Sequence, residues 1–242
     1  MNPPKAALIV GAGDATGGAI ARRFAREGYL ACVTRRTADK LVPLVDAIRA
    51  DGGQAHGFAS DARDEAAVTA LYAQIEREIA PIEVVVFNIG ANVRFSVVDT
   101  TERVYRKVWE MAALSGFLVG REAARVMLPR ARGTIIFTGA TASLRGGANF
   151  CAFAGAKHAL RALAQSLARE IGPQGIHVAH VIVDGAIDGA FSRANMPDIE
   201  ARLERDEILK PDDIARNFVW LHHQPRSAWT HEMDLRPWRE TW

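Results

Sequence analysis

Four short runs of this chain are apolar almost from end to end: Ala6–Val10, 30–34, 84–87 and 134–138. A fifth, Ile176–Val183, is interrupted only by His177 and His180. A strand with no polar alternation is buried on both faces, which requires a parallel sheet with helices packed on either side. Segments of helical period lie between the runs, at 17–27, 38–50, 65–79, 103–128 and 154–171. In the last of these, Leu160, Leu163, Leu167 and Ile171 make one stripe that ends at Gly172-Pro173. Gln54–Ala59 is a weaker strand pattern. This alternation predicts an α/β fold, one doubly wound parallel sheet formed as a single domain by residues 1–242. The charged stretch 197–213 reads as a solvated helix, and as part of a flap on the substrate side at about 186–210.

Composition narrows the function. A net charge of +2 does not call for nucleic acid. The cysteines, Cys32 and Cys151, are far apart and read as small core residues, which fits a reducing, cytoplasmic setting. The start, "MNPPKAALIV", lacks the pattern of a signal peptide, and no apolar run is long enough to span a membrane. His177 and His180 are three apart on a strand and face opposite sides, so no metal site is expected. His222 and His223 read as packing or surface residues.

The first strand runs into "LIVGAGDATGGAIARRF". Gly11, Gly13 and Gly17 let backbone approach a pyrophosphate, and the helix that follows offers its N-terminus to that charge. The alternative is a tight turn with no ligand. After the second strand comes "VTRRT", where a nucleotide-binding chain that prefers NAD would carry an acid for the ribose hydroxyls. Arg35 and Arg36 suit the 2′-phosphate of NADP by charge and by fork geometry, so NADP(H) is expected over NAD(H). Asp14, in the glycine loop, argues the other way by its charge.

The spacing Gly11-x-x-x-Ala15-x-Gly17 resembles the Gly-x-x-x-Gly-x-Gly loop of the short-chain dehydrogenase/reductase family, which sometimes accepts Ala in the middle. The likeness runs in order along nearly the whole chain. "FNIG" at 87–90 is similar to the family's Asn-Asn-Ala-Gly, and "DGAIDG" at 184–189 to its Pro-Gly-x-Val-x-Thr, with Pro and Thr replaced. The resemblance implies a Rossmann-type domain, a small-molecule substrate and a homodimer or homotetramer. It assigns the nucleotide to Gly11, Gly13, Ala15, Thr16, Gly17, Arg35, Arg36, Asp61, Ala62, Asn88, Gly90, Lys157, Gly185 and Ile187, with Asp61 at the adenine.

The family's tetrad is Asn, Ser, Tyr and Lys. Its tyrosine passes a proton to or from the substrate oxygen as hydride moves at the nicotinamide. Here only Lys157 matches. The tyrosine position is Phe153, the serine position Ala140 and the asparagine position Ala113. The spacing of the family's enoyl reductases, a tyrosine with six residues between it and the lysine, falls on Phe150. The only tyrosines are Tyr29, Tyr72 and Tyr105, none in this segment. Three readings follow. A reductase could use Thr141, the leading candidate, or Thr138, Ser143 or Asn149 to hold the substrate oxygen, with Lys157 or water as proton source. The chain could instead be a nucleotide-binding module or sensor without turnover, or a structural remnant. Loss of a general acid costs about 10²- to 10⁴-fold. Conjugated C=C acceptors and quinones tolerate that loss better than ketones do, because the oxyanion formed is less basic. Phe150 and Phe153 would make the site floor apolar and favour an aromatic or aliphatic substrate. The tail "WTHEMDLRPWRETW", with Trp229, Trp238 and Trp242, is expected at subunit contacts.

Overall fold

The computed structural model describes residues 3–240. Seven strands form one parallel sheet in the order β3-β2-β1-β4-β5-β6-β7. They are β1 Ala6–Val10, β2 Leu30–Arg35, β3 Gln54–Ala59, β4 Ile82–Phe87, β5 Gly133–Ala140, β6 Ile176–Val183 and β7 Glu232–Leu235. Strand order reverses between β1 and β4, which pair from Ala6 opposite Ile82 to Val10 opposite Phe87. Such a reversal opens a crevice at the carboxyl ends of the two strands, where doubly wound sheets bind ligands.

Helices α1 Thr16–Arg26, α2 Val42–Ala50, α3 Glu65–Glu78, α4 Glu102–Trp109, α5 Ser115–Met127 and α6 Cys151–Ile171 follow successive strands. The chain then adds α7 Ala190–Asn195, α8 Ile199–Glu204 and α9 Pro211–His222. The core lies in two layers, one on each face of the sheet. Phe87, Phe137, Leu118 and Leu160 belong to the layer under α3, α5 and α6, and Ile9, Val33, Phe24 and Phe218 to the layer under α1, α2 and α9. The expected stripe on α6 is in place: Leu160 and Ile171 are buried, and Leu163 and Leu167 pack against the same layer. Among the described residues no helix is long and apolar enough to cross a membrane.

The structure departs from the sequence reading in several places. The helix expected over 103–128 is broken by a wide π turn at Glu110–Leu114. There the Ser115 backbone N–H and hydroxyl both donate to the Glu110 carbonyl, the hydroxyl at 2.7 Å. Residues 197–213 are not one helix but α8 and the start of α9. Cys151 is half-buried, not core, because it opens α6 beside the Thr100 hydroxyl at 3.6 Å. Strand β7 carries no apolar run and was not expected. Polar contacts hold it: Glu232 accepts two hydrogen bonds from Arg161, both 2.7 Å, and one contact from His180 Nδ1 at 3.0 Å. Trp229 stacks on His177 of its own chain with ring centroids 4.9 Å apart, Trp238 is exposed, and Trp242 lies outside the described residues.

His180 is fully buried beside Gly139, and burial pushes its imidazole down to about 4. A Cβ at Gly139 would collide with the His180 ring and sit 3.0 Å from Ser143 Oγ. Gly139→Ala is therefore expected to lower unfolding free energy by about 1–3 kcal/mol, the range for overpacked sites, as measured by urea titration.

Candidate active site

The turn after β1 is held from the neighbouring strand. Gly11 takes a left-handed φ of +88°, and its carbonyl accepts from the Asn88 side-chain amide at 3.1 Å. The Asn88 backbone N–H donates in turn to Val10 O at 2.8 Å. A Cβ on Gly17 would lie 2.8 Å from Ala12 Cα and 2.9 Å from Asn88 Nδ2, so only glycine lets α1 start this close to the turn. At Gly13 and Gly90 a Cβ would meet nothing within 4 Å, because both border open space. Ala15, before α1, offers no side-chain cap to the first-turn amides. That leaves N–H donors and positive dipole for an anion.

Two adjoining cavities fill the crevice and share Gly11, Gly13, Asn88, Ile89 and Gly90. The larger, about 690 Å³, is also lined by Ala15, Thr16, Gly17, Thr138, Ala140, Thr141, Phe150, Phe153, Lys157, Gly185 and Ile187. The smaller, about 240 Å³, is lined by Arg35, Arg36, Asp61, Ala62 and Arg63. Every residue assigned to the nucleotide by resemblance thus lies on one continuous trench. Arg63 was missed. It grips Asp61 through Nε at 2.9 Å and Nη2 at 2.5 Å, and holds that carboxyl below the usual carboxylate range. Arg35, Arg36 and Arg63 line this cavity with Asp61, and Arg36 is exposed. Only its place two residues past Asp61 could have flagged Arg63 from sequence.

Lys157 is 3% exposed. Its ammonium donates to Thr138 O at 2.8 Å and to Ile89 O at 3.3 Å, and lies 5.9 Å from the Phe153 ring centre. Burial lowers its pKa to about 8. Phe153 is buried and packs with Ala142, Val108 and Ala112. Ala140 leaves the serine position without a hydroxyl. The Thr141 hydroxyl donates to Asp184, a buried carboxylate just behind the cavity wall. Ser143 is buried and its oxygen accepts from the Ala140 N–H at 3.1 Å, while Asn149 is exposed outside the lining with φ +70°. Thr138 differs: its buried hydroxyl has no hydrogen-bond partner, and it lines the cavity.

No replacement phenol enters from elsewhere in the described residues. Tyr72 donates to Val119 O in the core, Tyr29 bonds to His222, and Tyr105 faces Gly155 on α6. The ionisable side chains in the larger lining are Asp14, Arg145 and Lys157.

The family profile described as "short chain dehydrogenase" matches residues 5–198. A solved short-chain dehydrogenase from Rhodopseudomonas palustris is 47% identical, with 97% of this chain and 99% of that one covered and a TM-score of 0.81. The 2,3-dihydro-2,3-dihydroxybenzoate dehydrogenase of Bacillus subtilis (strain 168) is 28% identical over 90% of this chain and 88% of its own length. A metagenomic short-chain oxidoreductase solved in complex with NADP shares the fold at a TM-score of 0.80 and 23% identity, with 96% and 97% of the two chains covered. The chain belongs to the short-chain dehydrogenase family.

The depressed lysine makes a pH prediction. From about 8 to its ordinary 10.5, Lys157 is neutral in the folded chain and charged in the unfolded one. The unfolded state then binds the extra proton, so stability rises with pH across that window. Relative to Lys157→Met, the wild type is expected to gain up to about 1.4 kcal/mol per pH unit there, and nothing below it, in denaturant titrations from pH 7 to 10.

Proposed function

We propose that this chain is an NADP(H)-dependent oxidoreductase that exchanges hydride with an apolar carbonyl compound, quinone or enone and works without a phenolic acid. The observation that carries the reading is a trench with an unobstructed glycine turn, a buried Lys157 at its head and no tyrosine in its lining. The residues fit a dinucleotide: Gly13 and Gly90 border open space, α1 presents uncapped amides, and Asn88 fixes the turn. When bound, a nicotinamide dinucleotide supplies or takes up the hydride. Lys157 would hold its ribose, and Gly185 and Ile187 would flank its nicotinamide end.

Arg35, Arg36 and Arg63 around one cavity support NADP over NAD, against the charge of Asp14 at the other end of the trench. The relative solved with NADP is in keeping with this choice. Lys157 Nζ exchanges a proton near neutral pH and is the source, directly or through water, of the proton that the product oxygen needs. Thr141 lines the cavity and reaches that oxygen by leaving Asp184, whereas the uncommitted Thr138 hydroxyl is itself buried. Phe150 and Phe153 exclude water and select an apolar acceptor. Segment 186–210 is read as the flap over this half, with Ile187 in the lining and paired to Leu209. The exposed row Tyr105, Trp109, Leu114 and Phe117 is read as the contact of a homodimer or homotetramer. The second reading, a nucleotide-binding module without turnover, draws on inert Ala113, Ala140 and Phe153 together with the committed hydroxyl of Thr141.

The test is NADPH and NADH consumption against ketones, quinones and enoyl thioesters, with Lys157→Ala as the blank. Turnover that disappears in the variant is expected. Tight NADPH binding with no turnover on any acceptor would favour the binding module. Arg36→Glu is expected to weaken NADPH about 10- to 100-fold, the scale of a lost charge-assisted pair, and to leave NADH nearly unchanged in fluorescence titrations.

A further inference from the structure

One cation in the cavity has no part in the mechanism above. Arg145 lies in the turn after β5 and lines the larger cavity beside Ala140, Ala142, Phe150 and Phe153. Its side chain is 40% exposed. Among the described residues its guanidinium has one hydrogen-bond partner, Asp184, at a long 3.5 Å. Asp184 is 1% exposed, stands behind the wall, and is already engaged by the Thr141 hydroxyl and by Arg236 at 3.7 Å. A guanidinium carries five N–H donors in a rigid fork. The buried carboxylate therefore orients Arg145 from one side and leaves donors for the cavity side. A pair this long and this exposed adds little stability by itself.

The surroundings say what those donors suit. The nearby walls are apolar, and the only acidic side chain in the lining, Asp14, belongs to the glycine turn. A single fork among apolar walls matches one planar carboxylate carried by an apolar body. A phosphate dianion would want more donors than this wall provides.

We infer that Arg145 anchors the substrate's carboxylate, so that the substrate class is an apolar or aromatic carboxylic acid with its reducible group near Lys157. Asp184 is the positioning residue behind it. This inference rests on the oxidoreductase reading of the same cavity, so NADPH binding is measured first and separately. The probes are trans-cinnamate and its neutral isostere trans-cinnamamide, titrated calorimetrically into the protein with and without saturating NADPH. The wild type is expected to bind the acid about tenfold or more tightly than the amide, the scale of one charge-assisted hydrogen bond. Arg145→Gln should remove that preference by weakening the acid alone, and Arg145→Lys should keep its sign. Equal binding of acid and amide, binding of neither, or a preference that survives Arg145→Gln would overturn the anchor. If either variant fails to fold, the wild-type comparison still decides. Failure of NADPH to bind, with the acid still preferred, would overturn the oxidoreductase reading and leave the anchor standing.

Discussion

The ammonium of Lys157 ties three parts of the fold together. It sits on α6 and donates to carbonyls at the end of β5 and just past β4, which fixes the helix across the open ends of both strands. The same bonds satisfy a charge that burial would otherwise penalise heavily. Two carbonyl acceptors do not restore all the hydration lost, so the buried amine is left with a depressed pKa. Position and chemistry thus share one cause. The side chain that braces the crevice also lines its cavity.

The glycine turn depends on the same strands. Asn88 follows β4, and its side chain accepts no role at a distance: it bonds directly to Gly11 O and touches the space beside Gly17. The turn and the lysine are therefore registered to each other through β4 and the residues after it. Phe153, which the resemblance places at the tyrosine position, lines the cavity wall and packs with Val108 and Ala112.

Much of this was legible from sequence for physical reasons. Strands buried on both faces announce themselves as apolar runs, and all five such runs became strands of the sheet. The edge strand β3 gave a fainter pattern because only Ala55 of its six residues is buried. Strand β7 gave none: it pairs with β6 through its backbone and is tied further by Arg161 and His180, partners remote in sequence. The π turn at Glu110–Leu114 was hidden because it lies inside an ordinary helical pattern of sequence. Among site residues, positions set by backbone demands were readable, as at Gly11 and Gly17. Roles that depend on a partner far along the chain were not. Arg145 meets Asp184 across 39 residues and shares a cavity lining with Phe150 and Phe153, and the sequence places no mark on that meeting.

The account's central claim is that the frame transfers hydride and lacks only a strong proton donor. Its most direct test is the ratio of kcat/KM for a quinone to that for a simple apolar ketone, in the wild type and in Phe153→Tyr, with NADPH saturating. The expected wild-type ratio favours the quinone by about 10² or more, the scale of a missing general acid, and the tyrosine variant narrows it by raising the ketone rate. Equal rates on both acceptors in the wild type, or a ratio untouched by the restored phenol, would contradict it.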